Sequence, residues 1–176
     1  MSSGQSKRLV VDASVATSTG ERGRRGKRCR DFLKVMIDET SHRLVMTREI
    51  SAEWDIHSHP FARHWRRSMN AKRRVDRPNA ARDAAFCRKI EQASQTDKAL
   101  AAMEKDLRLI EAARTTDNRV VSLDDNARKL FSAASSQVGE LREILWVNPV
   151  NEEETSIQWL KDGAPSDEQR RICLNS

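Results

Sequence analysis

Leu9-Val10-Val11-Asp12-Ala13-Ser14 decides the fold class. Three consecutive apolar β-formers, without polar alternation, read as a strand covered on both faces, and the Asp-Ala-Ser behind them reads as a turn at its carboxyl end. Working outward, the pattern recurs: Leu44-Val45-Met46, then Arg119 to Leu123, then Ile144-Leu145-Trp146-Val147 stopped by Asn148-Pro149. Helical segments separate these runs. Gly20, Gly23 and Gly26 mark a loop, and a helix from Lys27 to Thr40 carries Phe32, Leu33, Met36 and Ile37 on one face. Thr47 caps a helix that places Ile50, Glu53, Trp54 and His57 on a single face. The segment between Pro60 and Pro78 reads as helical, as does Asn79 to Gln95; Thr96 caps a longer helix striped by Leu100, Met103, Leu107 and Ile110, and Asp124-Asp125-Asn126 opens another through Phe131. Strands alternating with helices predict an α/β fold, a parallel sheet flanked by helices.

A chain of 176 residues fits one domain with a full core. The expected domain spans residues 7–150, and residues 151–176 form an acidic C-terminal appendage. No apolar run reaches the roughly 18 residues of a membrane span. The polar start, Met1 to Arg8, and Asp12 behind the first apolar run leave no signal-peptide core, so the expected location is cytoplasmic. Cys29, Cys87 and Cys173 are too few and too scattered for a disulfide framework or a zinc knuckle. The loop Gly20 to Lys27 fails the phosphate-binding P-loop spacing, with Arg28 where a Ser or Thr is required, and no nucleophile elbow of the GxSxG type occurs. His57-Ser58-His59 is a poor metal pair, because residues two apart diverge on a helix.

The 32 Lys and Arg against 26 Asp and Glu give a net +6, unevenly spread. Residues 151–176 are net acidic, while two stretches concentrate arginine. The first, Arg22 to Lys34, includes Arg24, Arg25, Lys27 and Arg28; the second, Arg63 to Arg82, includes Arg66, Arg67, Arg73 and Arg74. The planar guanidinium suits bidentate contact with phosphate, so both are candidate nucleic-acid contacts, and Trp65 is the better candidate among the tryptophans for stacking on a nucleotide. A solvated surface is the plainer reading of either run.

Four carboxylates carry the chemical expectation. Asp12 and Asp124 each follow an apolar strand, and in a parallel sheet both stand at the same carboxyl edge, where open α/β sheets bind ligands. Glu53 shares a helix face with Ile50 and Trp54, and Asp106 lies beside Leu107 and Ile110. Carboxylates converging at one edge repel one another unless a cation neutralises them, and hard oxygen donors suit Mg²⁺ or Mn²⁺. Singly, Asp12 could merely close a turn and Asp124 merely cap a helix.

In these residues the chain resembles the PIN domain family, the fold of VapC-type toxin ribonucleases. Leu9-Val10-Val11-Asp12-Ala13-Ser14 matches its opening strand, acid and small hydroxyl residue. Ile50-Ser51-Ala52-Glu53-Trp54 matches its second acid, Asp106-Leu107-Arg108-Leu109-Ile110-Glu111-Ala112-Ala113 its third, and Val121-Ser122-Leu123-Asp124 its fourth. The resemblance implies a sheet ordered 3-2-1-4-5 and a Mg²⁺- or Mn²⁺-dependent ribonuclease. Asp12, Glu53, Asp106 and Asp124 would hold the metal, with Ser14 and Ser122 orienting the carboxylates. It also implies an antitoxin partner and a homodimer as possible assemblies. Asp97 competes for the third position, and Asp125 shares or replaces the role of Asp124. The alternative from a different class is a non-catalytic nucleic-acid-binding or protein-interaction module on the same fold.

Overall fold

A computed structural model describes residues 5–173; the first four residues of the polar start and the last three of the acidic segment lie outside the described residues. Five parallel strands form one sheet in the order β3-β2-β1-β4-β5: β1 (Arg8–Val11), β2 (Arg43–Val45), β3 (Val75–Asp76), β4 (Arg119–Val121) and β5 (Leu145–Val147). Leu9, Val10 and Val11 are wholly buried, as are Val120 and Val121 beside them, because helices cover both faces of the sheet. The chain leaves β1 to build β2 on one side and later returns to build β4 on the other. The carboxyl ends of β1 and β4 therefore flank the point where the strand order reverses.

The helices are α1 (Ala13–Ser18), α2 (Arg24–Asp38), α3 (Arg48–His57), α4 (Pro60–Ala71), α5 (Ala84–Ala93), α6 (Asp97–Arg114), α7 (Asp125–Ala134) and α8 (Ser156–Lys161). Their starts follow local capping chemistry. The Thr47 hydroxyl accepts from the Ile50 N–H, Thr96 from Ala99, and the Asp124 carboxylate from Ala127.

Three features differ from the sequence expectation. The turn after Asp12 is the short helix α1. Helix α2 begins at Arg24, so Gly26 is inside it; a Cβ at that position would stand 2.0 Å from the Glu21 carbonyl oxygen, and the glycine serves close approach. Between Pro60 and Pro78 the chain is not helical throughout: after α4 it forms β3, held by the ladder to β2 and by Arg43 paired with Asp76.

The acidic C-terminal segment joins the main core. Trp159, Leu160 and Ile172 are buried with the sheet residues, α8 packs on α2, and the Ile172 N–H donates to the Ile144 carbonyl. His42, buried under α8, accepts from the Lys7 N–H through Nδ1 and donates through Nε2 to the Leu160 carbonyl. Burial pushes its pKa down and keeps the ring neutral.

Candidate active site

Asp12 directly follows β1, and its N–H continues the ladder by donating to the Val121 carbonyl at 2.9 Å. It stands at the N-cap of α1 but makes no side-chain cap bond. Its Oδ2 instead accepts from the Ser14 hydroxyl at 2.6 Å and the Ser122 hydroxyl at 2.9 Å. Those two serines also bind the backbone of the neighbouring loop: Ser14 Oγ accepts from the Leu123 N–H, and Ser122 Oγ from the Asp124 N–H. Asp12 is thereby fixed to the segment carrying Asp124, although more than a hundred residues separate them.

Asp124 caps α7 through one oxygen. Asp106, buried on α6, faces the same edge. Its pKa is raised from 3.8 to about 7, first by burial, then by the negative charges of Asp12 and Asp124 and by a hydrogen bond to Asp124, against the opposing pull of Lys105. Three aspartates from three distant segments therefore act on one another. They border a cleft of about 590 Å³ that also receives Glu49, Glu53 and His57 from α3, and Lys105 and Arg108 from α6.

Glu53 is placed at this cleft but its carboxylate is solvent-exposed, 3.4 Å from His57 Nε2. Among the described residues, no group of three or more His, Cys, Asp or Glu is gathered in a metal-holding cluster. Asp97 lies nine residues before Asp106, about 13 Å along α6, and is not in the cleft lining. Asp125 is likewise outside that lining, where Asn148 Nδ2 donates to both its oxygens at 3.1 Å.

Sequence reading missed Glu49, Lys105 and Arg108. Glu49 and Arg108 form an ion pair of 3.1 Å between α3 and α6, a contact that no local pattern announces. Lys105 and Arg108 flank Asp106 in sequence, and the phase of the α6 stripe would have placed them at its border.

Two expected nucleic-acid contacts are corrected. Arg74 is half-buried, and its guanidinium donates to the carbonyls of Met36, Ile37 and His42, so it closes the end of α2. Trp65 is only 4% exposed, stacks on Trp54 and donates from Nε1 to the Leu33 carbonyl. It is a core residue with no free face for a base.

No protein-family model, curated protein or solved structure matches this chain. Among the described residues, no helix is long and apolar enough to cross a membrane.

Proposed function

We propose that the cleft at the carboxyl ends of β1 and β4 is the active site of a Mg²⁺- or Mn²⁺-dependent ribonuclease of PIN type. The observation that carries this reading is Asp106, a carboxyl buried against Asp12 and Asp124 at a cost that a cation would offset. The donor set is carboxylate throughout, which fits a hard divalent ion. Asp12, Asp106 and Asp124 would hold it, with Glu53 joining from the cleft wall. When bound, such an ion supplies activation of water and stabilisation of the leaving oxygen in phosphodiester hydrolysis.

The chain's own residues do the rest. Ser14 and Ser122 donate to one oxygen of Asp12, which holds the carboxylate in one orientation and leaves Oδ1 for the cleft. Asp124 spends one oxygen on the α7 cap and hydrogen-bonds with the Asp106 carboxyl. Lys105 adds positive charge to the lining of an otherwise acidic cleft, where it can meet an RNA phosphate, while Arg108 is neutralised by Glu49.

The test is cleavage of a mixed RNA pool with Mn²⁺, against EDTA and against Asp12→Asn. Cutting lost in both controls supports the reading; cutting that survives both overturns it. The second reading, a nucleic-acid-binding module without catalysis, is favoured by the lack of a gathered metal-holding group among the described residues. It predicts neither cutting nor a Mn²⁺-dependent rise in melting temperature.

A further inference from the structure

The two arginine runs look alike in sequence, but the fold treats them differently. In the first, five of the seven cations, all but Arg22 and Lys34, are spent on ion pairs or hydrogen bonds within the molecule. Arg24 and Arg28 both pair with Glu152, Arg25 pairs with Glu21 at 3.5 Å, and Lys27 with Asp31 at 2.5 Å. Arg30 donates to the carbonyls of Thr19 and Glu21.

The second run is far less neutralised. From Ile56 to Val75 the chain contains no acidic residue and six arginines and lysines. Two are internal: Arg74 on the carbonyls at the end of α2, and Arg66 on Asp55 and against the Trp54 ring. Arg63, Arg67, Lys72 and Arg73 remain, all exposed and without an ion-pair partner among the described residues. Arg63 and Arg67 are one turn apart, about 6 Å along the outer face of α4, because Ala62, Trp65 and Met69 bury the opposite face. Arg73 has φ 56°, so the chain reverses there and carries the positive stripe around the end of the helix. The stripe follows directly on the helix that supplies one wall of the cleft: α4 starts three residues after α3 ends, and Arg66 holds Asp55 of α3 at 2.5 Å.

We propose that the outer face of α4 and the turn behind it, through Arg63, Arg67, Lys72 and Arg73, dock the phosphate backbone of single-stranded RNA, and that the α2 run does not. The proposal takes its polymer from the ribonuclease reading but needs no catalysis. A flexible strand can follow a helix face and a turn, each phosphate meeting one unpaired cation with counterion release as the driving force.

The experiment measures binding of a short fluorescein-labelled single-stranded RNA of mixed sequence to the full chain in EDTA, by anisotropy across a salt series. It compares wild type with Arg63→Gln/Arg67→Gln/Arg73→Gln and with Arg24→Gln/Arg25→Gln/Arg28→Gln, which remove equal charge; circular dichroism melts check that each variant is folded. Loss of three backbone contacts should weaken binding at least about tenfold at moderate salt and flatten the log–log salt slope by about 2, while the α2 variant stays within about twofold of wild type. Equal losses in both variants would show a response to net charge and overturn the proposal, as would a wild type that does not bind. Binding that depends on α4 in a protein that never cuts RNA would sink the nuclease reading and leave this one standing.

Discussion

Asp106→Asn isolates the conflict at the centre of the cleft. Folding raises the Asp106 pKa from 3.8 to about 7, so the sign of its pH dependence follows directly. Below about pH 3 the folded and unfolded chains both hold this proton, and wild type and variant should be equally stable. As pH climbs, the unfolded chain releases the proton while the folded chain keeps it, and the wild type loses stability until the folded carboxyl also ionises near pH 7. Three units at about 1.36 kcal/mol each put the ceiling of that loss at about 4 kcal/mol. Asparagine fills the same space and cannot titrate.

The assay is urea or thermal unfolding of both proteins in EDTA from pH 4 to pH 8. The variant should gain on the wild type steadily across that window, by as much as about 10 °C in melting temperature at pH 8 for a chain of this size. Mn²⁺ should then narrow the gap, because it favours the protein that retains the carboxylate, by about 2.7 kcal/mol at a hundred times its dissociation constant and about 4.1 kcal/mol at a thousand times. Parallel pH profiles in EDTA would refute the burial and repulsion assigned to Asp106. A gap that Mn²⁺ leaves untouched would refute the cation.

Four further outcomes are expected. Glu53→Gln should raise the Mn²⁺ dissociation constant about tenfold by calorimetry, as loss of a ligand does, while leaving stability within about 0.5 kcal/mol because the side chain is exposed; Glu49→Gln should leave the metal affinity unchanged, and equal effects would mean that the α3 face has been misassigned. Glu152→Gln should release Arg24 and Arg28, tighten RNA binding and steepen its salt slope; an unchanged slope would mean that these arginines never reach the polymer. Leu160→Ala should cost 2–5 kcal/mol in urea unfolding, since the side chain is wholly buried, and a cost below about 1 kcal/mol would make the C-terminal segment dispensable to the core. Arg74→Ala should destabilise by at least about 2 kcal/mol without altering RNA affinity per folded molecule; reduced affinity at full stability would return Arg74 to the binding surface.

Much of the fold was legible because its decisive signals are local. Leu9-Val10-Val11 and Ile144 to Val147 are continuous apolar runs that only a doubly covered strand can bury, and Thr47 and Thr96 announce their helices by a hydroxyl three residues before the N–H they cap. Strand β3 left no such mark. Val75–Asp76 is two residues long in a basic stretch, and what holds it, the ladder to β2 and the Arg43–Asp76 pair, comes from more than thirty residues away. Trp65 was misread for a different reason. Its arginine neighbours suggested a surface, whereas the spacing of Ala62, Trp65 and Met69 already placed it on the buried face of α4. The C-terminal segment is acidic in composition, yet Glu154 turns inward onto Arg128, and Trp159, Leu160 and Ile172 anchor the segment in the core.

The same distinction between local and distant causes separates the parts of the cleft. Asp12 and Asp124 were readable as edge residues because a parallel sheet puts the carboxyl ends of all its strands on one side. What the sequence could not display is that Asp12 forgoes the α1 cap, binding Ser14 and Ser122 instead, while Asp124 accepts its own. Two aspartates with the same strand context thus face different demands, and the difference lies in which hydroxyls the fold brings within reach. Asp106 completes the contrast. It occupies a buried position beside Leu107 and Ile110 where any apolar residue would serve the core better, and its carboxyl is opposed by two others. A residue that local structure does not need and its neighbours resist is what a cation site would require, which is why the proposed nuclease reading rests on Asp106 before it rests on the acids at the strand ends.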